Sequence, residues 1–180
     1  MGIGKQRLNS RAAELRGAYG RSMEQKESTD LVQLKVHGVV HDPDTDTRIV
    51  ILRDAQNAEL LPIWVGAAEG IAIKMALEGI VTPRPMSHDL IRSMADHLNA
   101  RVVRVVVTNV KNSTYYAAIH LLSRGTEHSV DARPSDAIAL ALRTNSPIYV
   151  TQDVLKRRGA WNLDAWLEKL DAKNFGKHEV

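Results

Sequence analysis

Asp131-Ala132-Arg133-Pro134-Ser135-Asp136-Ala137-Ile138-Ala139-Leu140-Ala141-Leu142-Arg143 is the stretch on which the fold turns. Residues Glu127 to Ala132 read as a strand, and Pro134 to Arg143 as the apolar helix it runs into. Pro134 suits the first helical turn, where its missing N–H would have had no partner. A second string, Pro83-Arg84-Pro85-Met86-Ser87-His88-Asp89-Leu90, repeats the composition: arginine, proline and acid at the entrance of a helix. A helix N-terminus presents unpaired N–H groups and partial positive charge, to which an arginine adds a full charge, so phosphate is the anion expected there. Asp89, Asp131 and Asp136, with His88, would repel phosphate unless a divalent cation lay between them, which points to metal-assisted chemistry on a phosphodiester.

Outward from these strings the chain alternates in a legible way. Leu31 to Val40 and Arg48 to Leu52 read as strands flanking an Asp42-Pro43-Asp44 turn, which predicts a hairpin or meander. Glu59 to Val65 forms a third strand ending at Gly66. Ala67 to Glu78 follows as a helix with Lys74 and Glu78 on one narrow face, so it is expected to be mostly buried, or buried by a partner subunit. Ser87 can cap a helix to about Leu98, with Asn99 as terminator. Val102 to Val110 and Thr114 to Leu122 flank the short polar Lys111-Asn112-Ser113, another hairpin. Ile148-Tyr149-Val150 is a short strand, Gln152 to Arg158 a short helix, and Asn162 caps a segment with Leu163, Trp166, Leu167 and Leu170 on one face. Strand runs followed by helices give the class α+β: a single compact domain with a mixed, strongly curved β-sheet packed by helices, plus N- and C-terminal extensions. The boundaries are a flexible basic N-terminal extension over 1–30, a domain over 31–158, and a C-terminal helix and tail over 159–180.

Composition narrows the chemistry. The 24 Lys and Arg against 21 acidic residues leave a net charge of +3, which permits nucleic-acid contact without requiring it. With no cysteine, disulfides and thiolate metal sites are excluded, so any metal must take O or N ligands. No uncharged apolar run approaches the roughly 18 residues needed to span a bilayer, and a cytoplasmic protein with no membrane contact is expected. Aromatic residues make up 4% of the chain, a thin supply for a base-stacking platform.

Leu61-Pro62-Ile63-Trp64-Val65-Gly66-Ala67-Ala68-Glu69, Pro83-Arg84-Pro85 through His88-Asp89-Leu90, Thr114-Tyr115-Tyr116-Ala117, Asp131 through Arg143 and Pro147-Ile148-Tyr149-Val150 together resemble the bifunctional nuclease domain in order and spacing. The resemblance spans roughly Leu31 to Leu155. It implies a compact α+β domain with DNase and RNase activity that assembles as a homo-oligomer, a dimer or trimer. The basic N-terminal segment and Trp161 to Lys173 lie outside it. It carries over no nucleophile or ligand set, so the site is read from the residues themselves.

Each candidate has a structural alternative. Asp89 and Asp136 sit in first helical turns, where a carboxylate stabilises a helix by about 0.3–1 kcal/mol without any catalytic role. Asp131, at a strand end, is not explained by capping; a salt bridge to Arg133 or Arg84 is its other reading. His88 can be a general base or metal ligand, or a hydrogen-bonded residue beside a cap. Glu69 can join Asp131 and Asp136 as a metal carboxylate if three strand-to-helix junctions converge, or be one more helix-entry acid. Arg84 and Arg133 can hold phosphate bidentately, or form buried ion pairs with the same aspartates. Trp64 reads as core packing, with base stacking as the lesser alternative. Tyr115 and Tyr116 point to opposite faces of a strand. His37, His41, His97, His120 and His128 show no ligand spacing.

The expected function is a nuclease that hydrolyses phosphodiester bonds of DNA, RNA or both with little sequence preference. His88, Asp89, Asp131 and Asp136 are its catalytic candidates, Arg84 and Arg133 bind phosphate, and Glu69, Asp131 and Asp136 hold Mg²⁺ or Mn²⁺. The rival is a non-catalytic oligomeric ligand- or nucleic-acid-binding regulatory module in which the same residues form a structural network. A structural assembly protein, built on the two apolar helices, is the third reading.

Overall fold

The computed structural model describes residues 31–42, 45–56 and 59–157. The expected N-terminal extension and C-terminal helix therefore lie outside the described residues, as does most of the Asp42-Pro43-Asp44 turn.

Among the described residues, seven strands and four helices follow in the order β1 (Leu31–His41), β2 (Thr47–Arg53), β3 (Leu60–Gly66), α1 (Ala67–Leu77), α2 (Ser87–His97), β4 (Ala100–Lys111), β5 (Thr114–Ser123), β6 (Thr126–Ala132), α3 (Pro134–Thr144), β7 (Ile148–Thr151) and α4 (Gln152–Arg157). The strands make one open sheet in the order β3-β2-β1-β7-β4-β5-β6. β4 pairs with β7 in parallel, while β1 with β2, β2 with β3, β1 with β7, β4 with β5 and β5 with β6 are antiparallel. The sheet is mixed and the class α+β, as expected. Register shifts at Val36/Gly38, Val102/Arg104 and Val107/Asn109 mark bulges, the usual device for bending a strand.

Local chemistry sets the connections. β4 and β5 are joined by Asn112-Ser113, with φ of 47° and 61°, and β5 and β6 by Arg124-Gly125, with φ of 51° and 78°. Two successive positive φ values suit the two-residue turn whose twist matches the flanking strands. Asn99 and Asn145, at φ 54° and 52°, end α2 and α3 in the left-handed conformation that asparagine tolerates.

One face of the sheet carries the core. Val50, Leu52, Leu61, Ile63, Val105, Val107, Ala117, Ile148 and Val150 pack there against Ile73 of α1, Ala137 and Ile138 of α3, and Val154 of α4. In β2 the consecutive Ile49, Val50, Ile51 and Leu52 are all buried, so that strand is covered on both faces. Trp64 departs from the core-packing expectation. It lies across from Ile49, on the face opposite Val50 and Ile63, and is 39% exposed. Tyr115 packs on the core and Tyr116 is 42% exposed, the split expected of strand neighbours. Helix α1 buries Gly70, Ala72 and Ile73 within its own chain and leaves Ile71 and Leu77 exposed, so the chain itself covers it on one side. In α2 the cap residue is Met86 rather than Ser87. The reason is Asp89, whose carboxylate accepts the Met86 backbone N–H at 2.9 Å and closes the turn one residue earlier.

Candidate active site

Three helix entrances each place an acid at the third helical position: Glu69 in α1, Asp89 in α2 and Asp136 in α3. A carboxylate there faces the helix's free N–H groups and positive end, so each is favourable locally. The fold then adds what local chemistry does not, by joining all three entrances through arginines.

Arg133, the cap residue of α3, is the hub. Its Nε donates to Asp136 Oδ2 at 2.8 Å and its Nη2 to Asp136 Oδ1 at 3.2 Å, while Nη1 reaches Glu69 Oε1 at 3.0 Å. His88 Nε2 lies 3.1 Å from Asp136 Oδ1. Residues 64 apart in sequence thus share one guanidinium. Exposure separates the members: the Arg133 side chain is 66% exposed, Asp136 32%, Glu69 25% and His88 12%. A Cβ at Gly66 would meet the end of the Glu69 side chain, so a larger residue there would displace that carboxylate.

Electrostatics follow the geometry. Burial raises the Asp136 carboxyl, but hydrogen bonds from Arg133 and His88 and attraction to both outweigh it and hold its pKa below the ordinary value. The hydrogen bond and charge of Asp136, then those of Glu69, raise Arg133 from its ordinary value. The guanidinium is cationic at any working pH and both carboxylates accept from it.

A second arginine ties the frame beneath. Arg143, in the last turn of α3, donates from Nε to Asp89 Oδ1 at 2.6 Å and from Nη1 to the carbonyls of Ala72 at 3.2 Å and Ala139 at 3.0 Å. Its side chain is only 7% exposed. Burial raises the Asp89 carboxyl, yet the Met86 N–H and Arg143 lower it further, so it sits below its ordinary value. Asp89 is therefore engaged in holding the first turn of α2. Nothing in the spacing of charged residues singled out Arg143; the available signal was a lone cation closing an apolar helix.

The remaining candidates stand apart. Asp131 is exposed on β6 opposite Ala118, and no hydrogen bond or ion pair joins it to Arg133 or Arg84. The Arg84 side chain is exposed in the loop before α2, and only its carbonyl is engaged, by the Thr82 hydroxyl at 2.6 Å. Among the described residues no three His, Asp or Glu side chains converge as a metal site requires. Between Glu69 and Asp136 lies a guanidinium, so the donor set Glu69, Asp131 and Asp136 does not fit a protein-only site for Mg²⁺ or Mn²⁺.

His120 belongs to a separate cluster. It is 3% exposed, its Nδ1 lies 2.8 Å from Glu127 Oε1, and Arg104 Nη2 meets the same carboxylate oxygen at 2.6 Å. Burial raises the Glu127 carboxyl, but bonds from His120 and Arg104 bring it below its ordinary value. Pairing by strand register, which aligns residues 120 and 104 across β4 and β5, makes this contact.

Residues 50–162 match the family described as the bifunctional nuclease domain. An uncharacterized protein of Mycobacterium tuberculosis is 35% identical over 127 residues, covering 71% of this chain and 76% of that protein. Bifunctional nuclease 1 of Oryza sativa subsp. japonica is 32% identical over 114 residues, 62% of this chain and 34% of its own length. Bifunctional nuclease 2 of Arabidopsis thaliana is 31% identical over 107 residues, 58% of this chain and 32% of its own.

Proposed function

The chain belongs to the bifunctional nuclease domain family, and from that premise we propose that it hydrolyses phosphodiester bonds of DNA, RNA or both, with Arg133 as the phosphate anchor. One observation carries the reading: a largely exposed guanidinium, held between Glu69 and Asp136 at the entrances of two helices, with an imidazole bound to the same aspartate.

In this proposal a phosphate oxygen replaces one carboxylate on Arg133, an exchange between like acceptors that the 66% exposure of the arginine permits. Arg84, exposed before α2, lends a second charge. Asp136 accepts from His88 Nε2 and so leaves Nδ1 to take a proton from water. The water oxygen attacks phosphorus, the bond to the leaving sugar oxygen breaks, and that oxygen recovers a proton, giving a phosphate monoester and a hydroxyl. Asp89 positions His88 through the first turn of α2 and does not meet the substrate. Mg²⁺ or Mn²⁺ enters only as an ion carried by the nucleic acid's phosphates. The protein is proposed to work in the cytoplasm as a homo-oligomer, dimer or trimer; among the described residues no helix is long and apolar enough to cross a membrane.

The experiment is degradation of single-stranded DNA, duplex DNA and RNA by purified protein with Mg²⁺, Mn²⁺ or EDTA, beside Arg133→Gln, His88→Gln and Asp131→Ala. The expected outcome is cleavage by the parent and by Asp131→Ala, with the other two reduced by about 100-fold or more, as loss of a charge-stabilising donor costs elsewhere. Equal cleavage by Arg133→Gln and the parent would refute the assignment. Binding that depends on Arg133 without cleavage would support the non-catalytic module, which the internal pairing of Glu69, Arg133, Asp136 and His88 favours as second reading.

A further inference from the structure

Helix α2 is turned inside out. None of its residues is buried. Its inward side is polar: His88 reaches Asp136, Asp89 holds Arg143, and Arg92 Nη1 donates to the Arg143 carbonyl at 3.0 Å. Its apolar residues face away, with Leu90 52% exposed, Ile91 48%, Met94 56%, and Leu98, just past the last turn, 70%. A helix whose cohesion with its own domain is ionic leaves that stripe to something else.

We propose that the outer face of α2 is the surface through which two copies of this chain associate, paired antiparallel about a two-fold axis at Met94. Leu90, Met94 and Leu98 recur every four residues and form one ridge, the kind that interdigitates when two helices cross. The ridge is symmetric about its centre. An antiparallel partner sets Leu90 against Leu98 and Met94 against Met94, the self-complementarity a two-fold interface needs. The four exposed residues of the stripe offer roughly 400 Å² of surface, the size of the largest, often functional, apolar patch on a monomer. Ile80 and Val81, 51% and 92% exposed in the segment leading into α2, extend the supply of apolar surface. Against the ~800 Å² per partner of a standard interface, the stripe alone supplies about half. The inference rests on the homo-oligomer proposed above and names its surface; Leu90 follows Asp89 directly, so the interface would begin where the site ends.

The test uses the full chain and reads mass, independently of cleavage. Sedimentation equilibrium of the parent is expected to give twice the 20.0 kDa chain mass, and Met94→Glu one chain mass with an unchanged circular dichroism spectrum. Because the chain has no cysteine, Met94→Cys supplies a single thiol at the axis, expected to cross-link into dimers with a short bis-maleimide, while Lys74→Cys does not. A monomer at all concentrations, a trimer, a dimer that survives Met94→Glu, or a Met94→Cys protein that fails to cross-link would each overturn the proposal. A monomer whose Met94→Cys thiol is shielded would do so too, pointing to the chain's own residues 161–173 as the cover.

Discussion

Arg143→Met should cost the domain more stability than any other single change at the site. The guanidinium is 7% exposed and makes a 2.6 Å contact to Asp89 and bonds to two backbone carbonyls, Ala72 and Ala139. Methionine fills much of the volume but satisfies none of these acceptors. Removing one partner of a buried pair costs about 3–5 kcal/mol. Asp89 is 36% exposed and can rehydrate, so a discounted figure of about 2–4 kcal/mol is appropriate. At roughly 2–4 °C per kcal/mol for a chain of this size, thermal denaturation should fall by about 4–16 °C. The pH dependence adds a second check. Asp89 has a folded pKa below its unfolded one, so its contribution is complete above the unfolded value and is lost as pH falls through the folded value. The gap between parent and variant should therefore be full at pH 7 and shrink below about pH 4. A loss under 2 °C at pH 7, or a gap that widens in acid, would refute the claim that Arg143 ties α1, α2 and α3 together.

Other substitutions probe neighbouring claims. Gly66→Ala keeps an ordinary backbone conformation, at φ −64°, yet displaces the Glu69 carboxylate from its place by Arg133; the expected result is a melting temperature within a few degrees of the parent and altered phosphate affinity by titration calorimetry. Gly70→Ala would gain about 1 kcal/mol in an open helix, but here the methyl meets the Arg48 side chain, so a net loss of about 1–3 kcal/mol is expected in urea unfolding. Glu127→Gln removes an acceptor from His120 and Arg104; with a depressed folded carboxyl pKa in the parent, the stability lost should be present at pH 7 and vanish as pH falls below about 4, read by chemical denaturation.

What the chain discloses by itself is what neighbouring residues decide. The hairpin at Asn112-Ser113, the entry of α3 at Pro134 and the stop at Asn99 rest on turn and cap chemistry within four residues, and all three stand where expected. The placement of β7 between β1 and β4 does not, since it is settled by pairing partners over 40 and over 110 residues away in sequence. Trp64 shows the limit from inside one strand: its type suggested the core, but the strand's alternation put Val65 and Ile63 there instead. Likewise Glu69, His88 and Asp136 were legible as helix-entry residues, and their meeting at Arg133 was the condition the sequence could only pose. Asp131 carries the same charge two residues before Arg133 yet stands outside the network, because adjacent strand and helix-entry positions point different ways.

Arg133 and Arg143 make the same point at the level of function. In sequence they are alike, two arginines bracketing one apolar helix, each facing carboxylates. In the fold one is 66% exposed and the other 7%. Arg143 meets two backbone carbonyls and an aspartate that itself caps a helix, so any exchange of partners would strand buried acceptors. Arg133 meets only side-chain carboxylates that water can reach, and a phosphate oxygen offers it the same geometry with no acceptor left dry. An arginine that can change partners without leaving a debt in the core is the one suited to bind and release substrate. That difference in exposure, rather than any difference in residue type or spacing, sets Arg143 in the frame and is why Arg133 is the one proposed as phosphate anchor.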